Sequence, residues 1–472
     1  MPYSSKGESA SQAVKARPQK GLAERHLTLL ALGSCIGVGL FLGSAKAIQL
    51  AGPAILVGYA AGGLLLLVIM RALGELTLAS PTPASFVGHA NTFIGPFVAY
   101  LTGWLYWAMW IVTCVAEVSA VAVYMHVWFP ETPGWKWSLA ALALMGGVNL
   151  VATRVFGEFE FWFALIKVVV IVALIAAGLG MICFGWGVGG SPIGIANLWS
   201  HGGFAPNGIT GVLLAMQMVM FAYLGVEMLG LAAANADQPE RTVPRAFGSV
   251  FWRILIFYVG ALFVILSLYP WNQIGTTGSP FVLTFDRLGV PAAGGIINFV
   301  VITAALSSCS GGIFSTGRML YGMAYEGRAP AAFAKATATG VPRNAVAVSL
   351  AALLFGVFLN YLAPEKIFSW ATALATFAAV WTWCVILVAH LRFRSGLSEA
   401  ARRDLQYPLF LSPLTNYVGL LMLGGVLILL ALSPDTRPAL VAGPIFIALL
   451  AGAYARFLNP RRSGGPGRAR RR

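Results

Sequence analysis

The sequence is poor in charge. Only 10% of its 472 residues are Asp, Glu, Lys or Arg, against about 25% in a typical soluble protein. Hydrophobic residues make up 58% of the chain, which is more than a soluble protein of this size can bury. The same composition excludes intrinsic disorder. The scarcity of charge therefore predicts an all-α polytopic membrane protein.

Cysteine and the motifs of catalysis are also scarce. The five cysteines stand singly in apolar stretches and form no CxxC pair, so the sequence indicates no disulfide framework. The five histidines show no metal-ligand spacing, and the sequence contains no Walker A, HExxH or GxSxG motif. We therefore expect no enzyme, no metal and no cofactor, and the missing nucleotide loop argues against a primary pump.

Acidic residues are outnumbered by basic ones, 16 against 31. The basic excess lies in the tails and short loops, which indicates membrane orientation rather than nucleic-acid binding. With the N-terminus inside, 22 Lys and Arg residues lie in cytoplasmic segments and four in outside loops. This bias predicts that both termini are cytoplasmic. The basic end is interpreted as an orientation tail, with binding to anionic lipid as the alternative.

The apolar runs are long enough for twelve membrane-spanning helices, since a helix needs about 20 apolar residues to cross a bilayer. The first 25 residues are polar and lack the pattern of a cleavable signal peptide, so the first span is expected to stay in the protein. The predicted spans are 26–49, 54–79, 96–128, 137–154, 159–184, 208–235, 246–268, 293–323, 343–363, 366–391, 413–433 and 438–458.

Two spans carry glycine where a helix should be continuous. The first has Gly33, Gly37 and Gly39 near its middle, and the sixth has Gly225 beside Glu227. Close packing of small residues is one explanation, and an unwound turn continuing as far as Gly43 is the other.

Interruptions at matching positions in two halves of a chain point to a transporter's binding site. The pattern predicts two five-helix repeats of opposite orientation, 26–184 and 208–391, followed by two extra helices, 413–458. The tails are 1–25 and 459–472.

Broken helices offer bare peptide groups to a zwitterion. Free N–H groups at a half-helix N-terminus favour a carboxylate, and free carbonyls accept hydrogen bonds from an ammonium group. We therefore predict an amino-acid site. Its carboxylate side is formed by Ser34, Cys35, Ile36, Gly37, Val38 and Gly39, and its ammonium side by carbonyls near Ile36 and at Phe221, Ala222 and Tyr223, next to Gly225.

Among the charged residues within predicted spans, three are singled out because a charge at mid-bilayer is expensive and needs a reason. Glu117 is interpreted as a proton or substrate site, with a hydrogen-bonded structural carboxyl as the alternative. Lys167 either pairs structurally with unwound carbonyls or titrates at the break in the first span, and one contact can serve both roles. Glu227 either ties down the sixth span's break or carries a proton.

Other polar residues receive weaker predictions. Arg71 and Glu75 are four apart and are expected to form a helical ion pair. Glu158 and Glu160 are placed at the cytoplasmic mouth of the fifth span, and the direction of Ser307 and Ser308 is left open. The aromatic walls of the pocket beside Glu117 are assigned to Tyr106, Trp107 and Trp110.

The chain resembles the amino acid–polyamine–organocation superfamily, specifically its bacterial amino acid transporter family and, within it, the proline-specific and histidine-type permeases. The resemblance runs through nearly the whole chain in family order. It rests on GSCIGVGLFLGSAKAIQLAGPA (33–54), IMRALGEL (69–76), GWLYWAMW with Glu117 (103–117), FGEFEFWFALIK (156–167), FAYLGVE (221–227), ADQPERTVPRA (236–246), YPWNQIGTTGSPFVLTF (269–285) and STGRMLYGMAYEGRAP (315–330).

The resemblance implies a LeuT-like inverted-repeat fold with helices 1 and 6 discontinuous, and proton-coupled import of an amino acid across the bacterial inner membrane. It implies that Lys167 occupies the equivalent of a sodium site, that Phe221 gates the substrate, and that Glu117 handles a proton or the substrate. Two positions depart from the family pattern. Asn235 stands where an acidic residue is usual, which affects coupling, and Val38 replaces a smaller or hydroxylated residue, which narrows the pocket.

Substrate and mode of transport remain open within this resemblance. Histidine and then proline are the leading substrates, and the expected partners are a small-molecule amino acid, protons and membrane lipid. An amino-acid exchanger of the same fold is the alternative function, and a non-transporting sensor is a further one. The oligomeric state is not predicted.

Overall fold

A computed structural model describes the parts of the chain that hold the predicted spans. Ser34, Cys35, Asn235 and both predicted tails fall outside the described residues. The described residues are 36–82, 85–151, 153–186, 190–233, 239–275, 280–282, 293–337 and 339–458.

Every regular element among these residues is helical. Short 3₁₀ turns connect some of the helices, and a π-helical stretch, Ile256–Gly260, joins α10 to α11. The α-helices are α1 (Val38–Phe41), α2 (Gly43–Ala51), α3 (Ile55–Ala79), α4 (Ser85–Phe93), α5 (Pro96–His126), α6 (Gly134–Val151), α7 (Thr153–Phe184), α8 (Gly208–Ala222), α9 (Met228–Ala233), α10 (Pro239–Leu255), α11 (Ala261–Leu268), α12 (Ala293–Tyr325), α13 (Arg343–Leu362), α14 (Pro364–Ser395), α15 (Glu399–Arg403), α16 (Leu414–Leu432) and α17 (Arg437–Phe457).

Eight helical stretches in the described part are long and apolar enough to cross a bilayer. This confirms the predicted all-α membrane class. The observed ends lie close to the predicted ones: α16 covers 414–432 against the predicted 413–433, and α3 covers 55–79 against 54–79. Local signals explain such agreement. In α5, for example, proline occupies the first turn after Gly95, where its missing N–H is not needed.

Burial separates central helices from peripheral ones. In the most apolar 18-residue stretch of each helix, 89% is buried in α12 and 78% is buried in α5, whereas only 17% is buried in α17. α5 packs along α12 and α14, and α12 also packs on α7. Polar side chains on α5, α7 and α12 are therefore held inside the protein.

The predicted interruption of the sixth span is present. α8 ends at Ala222 and α9 begins at Met228, and the residues between them form turns. Gly225 has φ 98°, a conformation that glycine adopts without steric cost. The helix is therefore broken at the predicted glycine.

The predicted unwound turn of the first span is shorter than expected. Ile36 and Gly37 are non-helical, and α1 begins at Val38, so Gly39 lies within a helix. A Cβ on Gly39 would overlap the backbone of Ala222, and one on Gly43 would overlap the Met218 side chain. Gly39 and Gly43 thus permit close packing on α8, and the chain is interrupted between them at Leu42, a turn residue between α1 and α2.

The predicted pair of Arg71 and Glu75 is not formed. Glu75 is buried and accepts a bidentate hydrogen bond from Arg394 on α14, with both N–O distances 2.7 Å. It also accepts from the backbone N–H of Leu409 at 2.6 Å and lies 3.1 Å from His390 Nε2. Nε and Nη2 of Arg394 reach the two carboxylate oxygens in the bidentate geometry that a guanidinium and a carboxylate favour.

Arg71 binds the segment that follows α15. Its guanidinium lies 3.8 Å from the ring centroid of Tyr407, and its Nε donates to the Pro408 carbonyl at 3.1 Å. Together with the Glu75 contacts, this connects α3 and α14 to the chain that leads into α16.

The contact of Gly39 with Ala222 predicts opposite effects for two glycine-to-alanine changes. Gly39→Ala should destabilise the protein by about 1–3 kcal/mol through overpacking. Gly147→Ala on α6, where no atom lies near an added Cβ, should gain up to about 1 kcal/mol of helix propensity. Thermal unfolding in detergent checks both, and equal midpoints for the two variants would contradict the close contact.

The Glu75 cluster predicts a large effect from one buried carboxylate. Glu75→Ala should lower the free energy of unfolding by about 3–5 kcal/mol, because Arg394 is left without its partner. Asp435→Ala breaks the exposed Lys46–Asp435 pair, 3.0 Å long, and should cost less than about 1 kcal/mol. The comparison is made by thermal and denaturant unfolding, and a Glu75→Ala variant as stable as Asp435→Ala would refute the assigned role.

Candidate functional site

Two non-helical segments meet in the protein interior. The first is Ile36–Gly37, just before α1, and the second is Tyr223–Glu227, between α8 and α9. Both are buried, and the close approach of Gly39 to Ala222 brings their helices together. The structure thus places the described residues of the predicted site, Ile36 to Gly39 and Phe221 to Gly225, side by side.

Side chains satisfy the backbone groups that the second break exposes. Tyr258 donates its hydroxyl hydrogen to the Ala222 carbonyl at 2.7 Å. Gly225 N–H donates to Glu227 Oε1 at 3.3 Å, so Glu227 lies against the break as predicted. The Phe221 carbonyl accepts from Leu224 N–H at 3.1 Å. The predicted ammonium-binding carbonyls of Phe221 and Ala222 therefore have internal partners in this state.

Lys167 reaches the first segment from α7. Its Nζ donates to the Ile36 carbonyl at 3.0 Å and to Ser307 Oγ at 2.9 Å. The side chain is fully buried. A buried ammonium needs such acceptors because the interior offers no water. The Ile36 carbonyl before α1 is thus held by Lys167.

Glu160, which the sequence placed at the cytoplasmic mouth of the fifth span, is buried. Its Oε1 accepts a hydrogen bond from Ser307 Oγ of α12 at 2.7 Å. Residues seven apart share one helix face, so the spacing from Lys167 contained the signal that this side chain turns toward α12.

Glu117 packs against the start of α1 from the middle of α5. Its Oε2 accepts a hydrogen bond from Val38 N–H at 3.2 Å. A Cβ on Gly37 would overlap Glu117 Oε1 and would also crowd Ser308 Oγ. Glycine at position 37 is thus required for the Glu117 carboxyl to approach the start of α1. The backbone that was predicted to bind a substrate carboxylate therefore binds a carboxyl of the protein itself.

The predicted aromatic walls divide by helix face. Tyr106 and Trp110 are buried on the face that Glu117 shares, since spacings of eleven and seven return to one side of a helix. Trp107 lies about 100° away from that face and donates its indole N–H to Ser349 Oγ on α13 at 3.0 Å. The assignment of Trp107 to the pocket was wrong for that reason.

Phe221, the predicted gate, is buried at the end of α8. Its ring meets Phe368 of α14 edge to face, with centroids 6.4 Å apart. An aromatic pair of this kind contributes packing that a rotamer change would open. The position fits a gate between two helices.

Four ionisable side chains are buried in this region, the carboxyls of Glu117, Glu160 and Glu227 and the amino group of Lys167. An ionised group is expensive in a dry interior unless it has hydrogen-bond partners, and each of the four has at least one. Among the described residues, no three His, Cys, Asp or Glu side chains come together in a way that would bind a metal ion.

Comparisons with known proteins agree on one family. The family described as amino acid permease matches residues 26–459. An uncharacterized amino acid permease of Bacillus subtilis (strain 168), YtnA, is 55% identical over 443 residues, covering 94% of this chain and 96% of the relative. From the same organism, the probable threonine/serine transporter YbxG is 44% identical over 439 residues, covering 93% and 95%. The amino-acid permease AapA is 43% identical over 435 residues, covering 92% and 94%.

Proposed function

The chain belongs to the amino acid permease family, a family of multi-pass membrane transporters of amino acids, and we propose that it imports an L-amino acid together with protons across the bacterial inner membrane. Transport proceeds by alternating access. The observation that carries the proposal is the hydrogen bond from buried Lys167 to the Ile36 carbonyl. It places a titratable group on the backbone segment that would bind and release substrate.

The proposed topology has twelve spans with both termini in the cytoplasm. Two inverted five-helix repeats, 26–184 and 208–391, contribute the first and sixth spans to a central site, and 413–458 adds two helices. The break between α8 and α9 and the non-helical residues before α1 support this arrangement, because irregular backbone is tolerated at membrane depth only where protein or a cavity receives it.

The substrate site is proposed at the two non-helical segments. The backbone of 34–39 would bind the carboxylate, carbonyls near Ile36 and at Phe221–Tyr223 the ammonium group, and Phe221 would close over them. In this structure Glu117 and Lys167 contact the first segment, and Tyr258 contacts the second. Substrate must therefore replace internal partners, which makes its affinity depend on the conformation. Such a difference in affinity is what drives a conformational change.

Proton coupling is proposed to act through Lys167, Glu117 and Glu227. A protonated Lys167 makes a charge-assisted hydrogen bond to the Ile36 carbonyl, which is stronger than the bond that a neutral amine makes. Loss of the proton would loosen the start of α1. Protonation of Glu117 would likewise weaken its hold on Val38 N–H. Both changes free the segment that binds substrate.

Histidine and proline are the proposed substrates, on the resemblance to permeases of those types. Threonine and serine are added as candidates by the name of the 44% identical relative. An amino-acid exchanger is the second candidate function, because the same segments would serve exchange, which needs substrate on both sides.

The proposal predicts that uptake follows a proton gradient. In proteoliposomes, L-histidine or L-proline should accumulate when the outside is made acidic. Lys167→Ala should abolish accumulation, because it removes the buried amino group that hydrogen-bonds to the Ile36 carbonyl. The matched control is Lys46→Ala, an exposed lysine on α2 paired with Asp435, which should accumulate like the wild type. Uptake that ignores pH and follows sodium would overturn the proposed coupling.

Substrate identity is tested by thermal stabilisation against the twenty amino acids. A ligand that binds only the folded state raises the unfolding temperature, so one or a few amino acids should shift the midpoint. Counterflow with the stabilising amino acid inside the vesicles then distinguishes exchange from symport. Uptake that occurs only with preloaded amino acid would support the exchanger.

A further inference from the structure

Glu160 and Lys167 form a buried pair along one face of α7. They are seven residues apart, two helical turns, and both side chains are almost completely inaccessible. Neither lies near bulk solvent, so each needs an interior partner for its charge. The two face α12, which supplies the same residue to both.

Ser307 of α12 connects them. Its hydroxyl oxygen accepts a hydrogen bond from Lys167 Nζ at 2.9 Å, and the hydroxyl hydrogen is donated to Glu160 Oε1 at 2.7 Å. A serine hydroxyl has one hydrogen to donate and lone pairs to accept. These two hydrogen bonds therefore run in one direction, from the ammonium group through the hydroxyl group to the carboxylate.

From these two hydrogen bonds we propose that Glu160 receives the proton that Lys167 releases during transport, with Ser307 as the relay. The inference rests on the proposed proton coupling and adds a residue to it. One proton moves from Lys167 Nζ to Ser307 Oγ as the hydroxyl proton moves to Glu160 Oε1. The serine ends unchanged, the ammonium becomes an amine, and the carboxylate becomes a carboxylic acid.

The transfer changes how α1 is held. An ion pair becomes a neutral pair, so the local net charge is unchanged. The amine of Lys167 then makes a weaker hydrogen bond to the Ile36 carbonyl than the ammonium did. A proton shift of two turns along α7 thus loosens the segment that would bind substrate.

An onward route leads toward the N-terminal end of α7, the cytoplasmic end in the proposed orientation. Glu160 Oε2 is buried and has no hydrogen-bond partner among the described residues, so release of the proton requires that an acceptor such as water reach this carboxyl. One turn further, Phe156 stacks on Phe314 of α12, with ring centroids 4.1 Å apart and planes 7° apart. The stacked pair also lines a small cleft beside Arg318. Separation of these rings would open Glu160 to the cleft.

The other charged groups on the packed helices leave Glu160 as the acceptor. Glu117 on α5 accepts from Val38 N–H at the start of α1 rather than from Ser307. Arg318 on α12 lies beyond the stack, with its guanidinium carbon 4.1 Å from the Phe314 ring centroid, and it is a cation. Of the carboxyls in the described part, Glu160 is the one that hydrogen-bonds to the hydroxyl holding Lys167.

The first test replaces the acceptor. Glu160→Gln keeps an oxygen for the Ser307 hydroxyl but cannot take up a proton. Proteoliposomes containing the internal pH dye pyranine are given ¹⁴C-labelled L-histidine, L-proline, L-threonine and L-serine, with and without an acidic exterior. In the Glu160→Gln variant, the ratio of amino-acid accumulation to counterflow, and the ratio of proton entry to counterflow, should each fall about tenfold or more below the wild-type ratio. The matched control is Glu158→Gln, two residues away on the same helix, which should keep the wild-type ratio.

The second test removes and restores the relay. Ser307→Ala should reduce proton entry per amino acid transported, and Ser307→Thr, which keeps the hydroxyl, should restore it. A role in packing alone would affect counterflow and proton entry equally. Thermal unfolding of each variant identifies those that fail to fold, and the Thr variant then decides the outcome.

The outcomes separate the relay from the proposed function. If the wild type transports none of the four amino acids in response to pH, the proposed coupling fails and the relay fails with it. If the wild type is coupled and Glu160→Gln still brings in protons at the wild-type ratio, only the relay is overturned.

Discussion

The hydrogen-bonding demand of interrupted backbone inside the protein is the constraint on which the rest of the structure depends. Hydrocarbon offers no partner to a free carbonyl or N–H, and each one left unsatisfied costs several kcal/mol. The chain meets this demand with side chains. Lys167 holds Ile36, Tyr258 holds Ala222, and Glu117 holds Val38. The groups that stabilise the breaks are therefore also the groups that a substrate would have to replace at the proposed site.

This constraint explains where the polar residues lie. The side chains that reach the first break come from α5 and α7, and Lys167 of α7 finds a further partner on α12. The second break is reached by Tyr258 of the π-helical stretch. Two of these helices, α5 and α12, are the ones buried on most sides. A charged group on a peripheral helix such as α17 would face lipid instead. The most buried helices carry the chemistry because only there can a charge find fixed partners.

In the proposed mechanism, the same polar groups connect substrate binding to protonation. Lys167 and Glu117 each hydrogen-bond to the first break, so their hold on it would depend on their protonation state. Small, close-packed residues keep these contacts tight: Gly37 lets Glu117 approach, and Gly39 lets α1 lie on α8. Near the C-terminal end of α3, the Glu75–Arg394 pair joins α3 to α14. The protein thus combines a buried ion pair near the end of α3 with hydrogen bonds from side chains to the non-helical segments at its centre.

The sequence alone determined the membrane class, most helix bounds, the break at Gly225 and the importance of Glu117 and Lys167. These are local properties, since composition, periodicity and a glycine or a charge within an apolar run can be recognised without knowing any distant partner. Only the tertiary structure decided that Glu75 pairs with Arg394 rather than Arg71, that Trp107 turns away from the pocket, and that Glu160 is buried beside Ser307. Each of these depends on a residue more than a hundred positions away along the chain, and packing between helices chooses that partner.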